Sequence, residues 1–155
     1  MGTGKNIPFY SGEMQTTAID LSPKMLERAR HRADAERTTV NLQMVDAQAL
    51  PFASETFDNI VGTFVFCSIP DPVRGLREAA RVLKPGGQLI LLEHVLSGYR
   101  GLSEMMRLVN PLMVRLAGAN FDRDTVSNVD KADFREMRVR LLWLDIVRLI
   151  EGRAS

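Results

Sequence analysis

Three places in the first third of the chain carry residue types suited to holding a nucleoside. Gly2-Thr3-Gly4-Lys5-Asn6 stands before what reads as a helix start. Glycines there let a backbone approach a ligand, and a helix N-terminus favours negative charge such as a carboxylate; taken alone, a flexible start or an ordinary turn is the stronger reading of this fragment. Asp20 closes the β-prone run Thr16 to Asp20, 16 positions after Gly4. That is close to the about-20 spacing at which an acidic residue meets a ribose in dinucleotide folds. Its carboxylate can accept hydrogen bonds from both ribose hydroxyls. An N-cap or solvated loop aspartate beside Ser22 is the competing reading. Asp46-Ala47 follows the next strand-like run. Asp46 can accept from an adenine amine while the neighbouring backbone reads the ring edge, and a turn-forming aspartate is as consistent with its position. Taken in order, each at a strand end, the three point to a nucleoside-bearing cofactor.

Other side chains are weaker candidates. His94 follows Glu93 at the end of an apolar run, and its pKa class suits a general base. A hydrogen-bonded rim histidine with a packing role competes with that, and Glu93 either orients it or caps the strand end. Cys67 reads as a small buried apolar residue and Tyr10 as a packing tyrosine near the glycine loop.

The elements that position these residues alternate between short apolar runs and helix-period segments, as in α/β architecture. Ser22 is placed as an N-cap and Pro23 as the first residue of a helix whose apolar face is Met25, Leu26, Ala29 and Ala33. Val40, Leu42 and Met44 alternate with polar residues, which predicts a half-buried strand near a sheet edge. Ile60 to Phe66 and Leu89 to Leu92 are nearly continuous apolar runs, as in parallel strands covered on both faces. Asp71-Pro72 opens a helix with Val73, Leu76, Ala80 and Leu83 on its apolar side, and Pro85-Gly86-Gly87 is expected to end it. Leu102 to Leu116 reads as an apolar helix broken or kinked at Pro111. Met137, Val139 and Leu141 alternate with Arg138 and Arg140, and Ile146 to Ile150 follows too soon for a crossover helix, so the pair reads as an antiparallel hairpin. The expected fold class is a Rossmann-like, doubly wound, mostly parallel sheet ending in that hairpin, in one domain spanning residues 1–155.

Composition narrows the classes further. Lys and Arg number 20 against 19 Asp and Glu. Near-neutral charge argues against nucleic-acid binding through phosphates. A single cysteine offers neither a disulfide nor a metal cluster, which makes a reducing compartment, the cytoplasm, the default. No apolar run is long enough to span a bilayer. The oligomeric state is not legible in the sequence.

The chain resembles the class I S-adenosylmethionine-dependent methyltransferases, in the branch of ubiquinone/menaquinone-biosynthesis and small phospholipid methyltransferases. The stretches that carry the resemblance start with Gly2-Thr3-Gly4-Lys5-Asn6-Ile7-Pro8, Ile19-Asp20-Leu21-Ser22-Pro23-Lys24-Met25-Leu26 and Asp46-Ala47-Gln48-Ala49-Leu50-Pro51-Phe52. They continue through Phe57-Asp58, Phe66-Cys67-Ser68-Ile69-Pro70-Asp71-Pro72 and Arg81-Val82-Leu83-Lys84-Pro85-Gly86-Gly87 into Leu92-Glu93-His94-Val95. The resemblance implies S-adenosylmethionine as cofactor. It puts Gly2, Thr3 and Gly4 in the loop around the methionine moiety, Asp20 at the ribose and Leu21 beside the adenine. Asp46 and Ala47 become the adenine-reading pair, and Thr63, Phe64 and the residues up to Phe66 lie beside the sulfonium and the acceptor. The reaction implied is in-line displacement of the methyl group, aided mainly by alignment, with a small-molecule or lipid-like acceptor. His94 is the one candidate base, and no metal is implied.

The family pattern has a strand and an acidic-Gly-x-Gly sequence before the position of Gly2, whereas this chain begins at Met1. The first strand is therefore expected to be missing, as in a truncated gene model. An in-frame stop codon directly upstream of Met1 would end that idea. Two further readings stay open: a non-catalytic remnant or partner-binding domain, and an NAD(P)-dependent oxidoreductase. The latter is disfavoured because Met14 and Ser103, not lysines, stand four residues after Tyr10 and Tyr99. Met105, Met106 and Met113 with Arg107 and Arg115 mark the Leu102 to Leu116 helix as core or acceptor cover, and less so as a peripheral membrane contact.

Overall fold

The computed structural model describes the chain apart from residues 11–12, 118–123, 133 and 144–145. The chain divides into two compact units, Met1–Pro51 and Phe52–Ser155.

In the first unit, strand β1 (Thr16–Asp20) runs parallel to β2 (Val40–Met44), with Asp20 opposite Met44. A parallel pair needs a crossover, and helix α1 (Pro23–Ala35) supplies it. The Ser22 hydroxyl accepts the Met25 N–H, and Pro23 presets the first turn. Ala29 and Ala33 are buried with Ile7, and Met1, Tyr10, Val40 and Leu42 pack around them. The helix expected after the glycine loop is corrected to one 3-10 turn, Ile7–Phe9. Pro8 disfavours the α conformation at Ile7, and three residues align too few peptide dipoles to attract an anion.

In the second unit, β3 (Phe57–Thr63) pairs in parallel with β4 (Leu83–His94) across helix α2 (Pro72–Val82). The Asp71 carboxylate caps α2 by accepting the Arg74 N–H. Helices α3 (Arg100–Ala117) and α4 (Thr125–Asp130) follow, then the hairpin of β5 (Arg135–Trp143) and β6 (Val147–Arg153). The hairpin folds back so that β6 lies against β4, giving the order β3-β4-β6-β5 with only β3 and β4 parallel. Leu76 and Val82 of α2, Leu89 and Leu91 of β4, Val129 of α4 and Ile150 of β6 have no exposed surface. Each such side chain stabilises the fold by about 1.5–3 kcal/mol relative to leaving it in water.

The sheet is thus two sheets, each a βαβ unit, the second extended by the antiparallel hairpin. Among the described residues, β1 and β3 each have a neighbour on one edge only.

Further expectations are corrected. The run Ile60 to Phe66 is a strand only to Thr63 and starts earlier, at Phe57; Phe64 has φ +53° and turns the chain out of the sheet. Within its unit β3 is not covered on both faces, since Val61 is 50% exposed. Pro85-Gly86-Gly87 does not end α2, because the helix has already stopped at Val82. Those residues instead form a bulge in β4, taken up between the pairs Phe57 with Leu83 and Asn59 with Gln88. Gly86 has φ +74°, and a Cβ on Gly87 would stand 2.7 Å from the Lys84 carbonyl, so the bulge needs both glycines. Helix α3 runs through Pro111 and is not core: Met105, Leu108, Val109 and Leu112 form an exposed stripe, Leu108 being 82% exposed. The side chains of Met113 and Leu116 lie outside the described residues. In β5 the alternation does not bury one face, since Val139 and Leu141 are both exposed on this outermost strand.

Candidate functional site

Asp20 sits at the C-terminal end of β1, where ligands meet open α/β sheets. Its Oδ2 accepts the Gly2 N–H at 2.7 Å and its Oδ1 accepts the Ser22 N–H at 2.9 Å. The side chain stays about one-fifth exposed. A carboxylate has room for about four hydrogen bonds, so two acceptor positions are left over. Both readings of Asp20 are therefore served by one geometry: it closes its own loop and keeps capacity for hydroxyl donors. The Met1 nitrogen donates to the Ile19 carbonyl at 2.9 Å and lies 3.6 Å from Asp20 Oδ2, which folds the glycine loop back onto the strand end.

The two glycines of that loop differ. Gly4, at φ +76°, is buried, and a Cβ there would stand 2.7 Å from Ile7 Cδ1 and 3.1 Å from Ala29 Cα. Gly2, at φ +58°, would meet nothing within 4 Å. Close packing on α1 uses Gly4, while Gly2 leaves open space. Thr3 borders a shallow depression with Arg28, His31 and Arg32 of α1. Tyr10 packs on the small core, and burial raises its phenol pKa, opposed by a hydrogen bond with Asn6. Leu21, next to Asp20, is 60% exposed, an apolar surface at the strand end.

Asp46 lies two residues beyond Met44, the partner of Asp20, and the Val45 N–H donates to the Asp20 carbonyl at 3.3 Å. Asp20 and Asp46 thus share one end of the β1-β2 pair, with Ala47 directly following. Asp46 Oδ1 accepts both the Gln48 N–H at 2.9 Å and the Gln48 amide at 3.1 Å, which makes it the hinge of a turn.

The second unit holds the other candidates. Strand β4 alternates: Leu89, Leu91 and Glu93 are fully buried on one face, and Ile90, Leu92 and His94 are half-buried on the other. Alternation rules out Glu93 as the residue that orients His94, since successive strand side chains point to opposite faces. Glu93 is instead a cap. Its Oε1 accepts the Val65 N–H at 2.7 Å and the Phe66 N–H at 3.0 Å, just past Thr63 at the end of β3. Desolvation raises its pKa, opposed by the N–H groups of Phe66, Val65 and Cys67 and by the Cys67 thiol. Phe64, at φ +53°, carries a left-handed strain of about 1–2 kcal/mol for an L-residue. The Phe64 ring stacks on the His94 imidazole, with centroids 4.4 Å apart and planes 25° from parallel. Burial lowers the His94 pKa, opposed by the Ile146 carbonyl, which favours the charged form. The capping reading of Glu93 carries part of this, its signal being an acidic residue directly after the apolar run Leu89-Ile90-Leu91-Leu92; the left-handed turn at Phe64 has no sequence signal. Among the described residues no group of three or more His, Cys, Asp or Glu is placed to hold a metal ion.

Acidic and glycine positions thus stand at the ends of parallel strands, the rim where open α/β sheets meet ligands. A family profile described as a methyltransferase domain matches residues 1–91, and the chain belongs to that family. The phosphatidylethanolamine N-methyltransferase of Cereibacter sphaeroides is 38% identical over 96 residues, which cover 61% of this chain and 47% of that protein. The thiol S-methyltransferase TMT1B of Rattus norvegicus is 30% identical over 165 residues, covering 99% of this chain and 67% of that one. A solved SAM-dependent methyltransferase from Methanosarcina mazei superposes with a TM-score of 0.76 at 22% identity, over 98% of this chain and 88% of that one. The chain spans about half the length of the first of these curated relatives. No helix among the described residues is long and apolar enough to cross a membrane.

Proposed function

We propose that this chain transfers a methyl group from S-adenosylmethionine to a small or lipid-like acceptor, its two units acting as one methyltransferase domain. The carrying observation is Asp20, which grips the glycine loop through Gly2 while keeping acceptor capacity at an open strand end. The family profile runs across Pro51, where the two units meet in sequence, and so supports a single domain.

The residues present fit the cofactor. Asp20 would take the ribose hydroxyls, exposed Leu21 the adenine face, and Asp46 with Ala47 the adenine edge. Gly2, Thr3 and Gly4 would lie along the methionine moiety, with Thr63 and Phe64 toward the sulfonium. The bound cofactor supplies an electrophilic methyl group. This chain's residues align the partners, which can be worth about 7–11 kcal/mol. Where the acceptor must also lose a proton, His94, whose pKa burial lowers, would be the base.

The names of the relatives point to lipid, thiol and quinone-type acceptors. The exposed apolar stripe of α3, bordered by Arg107, suits such an acceptor or peripheral contact with the membrane that holds it. A buried lone Cys67 fits a reducing compartment such as the cytoplasm.

Titration calorimetry tests the reading. S-adenosylmethionine should bind, and Asp20→Ala, which deletes charged acceptors each worth about 1.5–3 kcal/mol, should weaken binding at least roughly tenfold. Binding unchanged in Asp20→Ala would remove Asp20 from the site. A folded sample giving no heat would favour a non-catalytic, partner-binding domain. Labelled S-adenosylmethionine incubated with cell extract would then identify the acceptor by its label.

A further inference from the structure

The exit of β3 is a strained turn held from beneath. Phe64 is left-handed, and the N–H groups of Val65 and Phe66 converge on one oxygen of Glu93. Consecutive N–H groups after a left-handed residue form a concave nest that binds anions. Here the occupant comes from β4 itself. Glu93 has no exposed surface, and the Cys67 N–H and thiol stand beside its carboxylate as well. Strand alternation would accept a leucine at this position, as at Leu89 and Leu91, without burying a charge. A left-handed phenylalanine persists only where its surroundings over-determine it. Three interactions do so: the Phe64 N–H donates to the Leu92 carbonyl at 2.8 Å, Glu93 holds the next two amides, and His94 lies flat against the ring. Glu93 and His94 are adjacent in sequence, so one step of β4 anchors the turn below the sheet and receives its side chain above.

We propose that Glu93 is a positioning residue that holds the β3 exit turn in its left-handed form and so fixes the stacked Phe64–His94 pair as a rigid wall beside which the methyl acceptor is aligned. The alignment clause rests on the methyl-transfer reading above; the clamp itself does not.

Two measurements on the full chain test it. In the wild type, amide exchange at Val65 and Phe66 should be slowed at least roughly 100-fold relative to a free peptide, as for amides bonded inside a folded core. Exchange at peptide rates would overturn the clamp with no variant needed. Next, ring-to-ring cross-relaxation between Phe64 and His94 should be strong in the wild type, abolished in Glu93→Leu, and largely restored in Glu93→Gln, whose amide oxygen still accepts both N–H groups. Exposed His31 on α1 serves as the internal reference. Ring stacking unchanged in a folded Glu93→Leu would overturn the proposal.

With labelled S-adenosylmethionine and cell extract, label transfer should fall about 10- to 100-fold in Glu93→Leu and recover in Glu93→Gln, the range seen when reacting groups shift by about an ångström. If the rings separate in Glu93→Leu while label transfer stays intact, the link to the acceptor is severed. No label transfer by the wild type would instead remove the methyl-transfer reading, leaving the clamp to be judged by exchange and ring stacking.

Discussion

Met1–Pro51 and Phe52–Ser155 reach order by different means. The larger unit has a four-stranded sheet and a core of long aliphatic side chains from two helices and two strands. The smaller has one pair of strands and a core centred on Ile7, Ala29 and Ala33, two of them alanines. Isolated two-stranded sheets are marginal in water. The smaller unit gains definition from polar interactions, chiefly the Asp20 carboxylate on Gly2 and Ser22. The candidate nucleoside residues are thus where apolar packing is thinnest, and the aromatic pair of Phe64 and His94 is built on the better-packed unit. On the reading proposed above, a cofactor loop in the less packed unit would be a workable placement, because binding elements are drawn from the low-stability end of a structure.

The contrast can be broken most directly in the larger core. Leu89→Ala should destabilise the Phe52–Ser155 unit by about 2–5 kcal/mol. Denaturant unfolding read on the amides of β4 measures it, and a loss under about 1 kcal/mol would mean the core does not carry that unit. The smaller unit should answer to glycine instead. Gly4→Ala drives a Cβ into Ile7 and Ala29 on top of its left-handed strain and should cost about 2–4 kcal/mol. Gly2→Ala carries only the strain, about 1–2 kcal/mol. Equal losses in thermal melts of the two variants would contradict the packing role given to Gly4.

A gentler test uses pH. Burial raises the Glu93 carboxyl above its ordinary 4.5, so the folded chain holds that proton more tightly than the unfolded chain. Its stabilising contribution is complete below the ordinary value and is lost as pH rises through the folded one. Glu93→Gln cannot ionise, so its Tm should gain on that of the wild type as pH rises from about 4 to 8. A difference that stays flat across that range would mean Glu93 has an ordinary pKa. Least of all should come from the exposed pair of Lys84 and Asp58, at 2.7 Å. Solvent screens such pairs, so Asp58→Ala should leave the unfolding midpoint unchanged within error.

The sequence was most legible where a local signal settles the structure alone. Ser22-Pro23 and Asp71-Pro72 mark the two helix starts because an N-cap and a first-turn proline act within four residues. Asp20 is the last residue of β1, as its run required, and the hairpin followed from a connection too short for a crossover. Tertiary context decided the rest. The apolar run past Thr63 looked like more strand, and only the Glu93 clamp from another strand shows why Phe64 turns away. Pro85-Gly86-Gly87 carried a turn signal, but whether it ended a helix or bulged a strand depended on where α2 had already stopped. The stripe on α3 had the period of a core helix and faces outward, a distinction that periodicity cannot make.

Strand β5 carries one more consequence. It is the outermost strand of its sheet, with Arg135, Arg138 and Arg140 exposed along it and Leu141, Leu142 and Trp143 exposed at its end. Open backbone donors and acceptors invite another chain to add a strand there, and the apolar end would reward it. Like charges would repel a second copy approaching in register, a protection that Glu136 on the same strand and the Arg140–Glu151 pair at 3.5 Å would reduce. That protection weakens as added salt shortens the reach of charge.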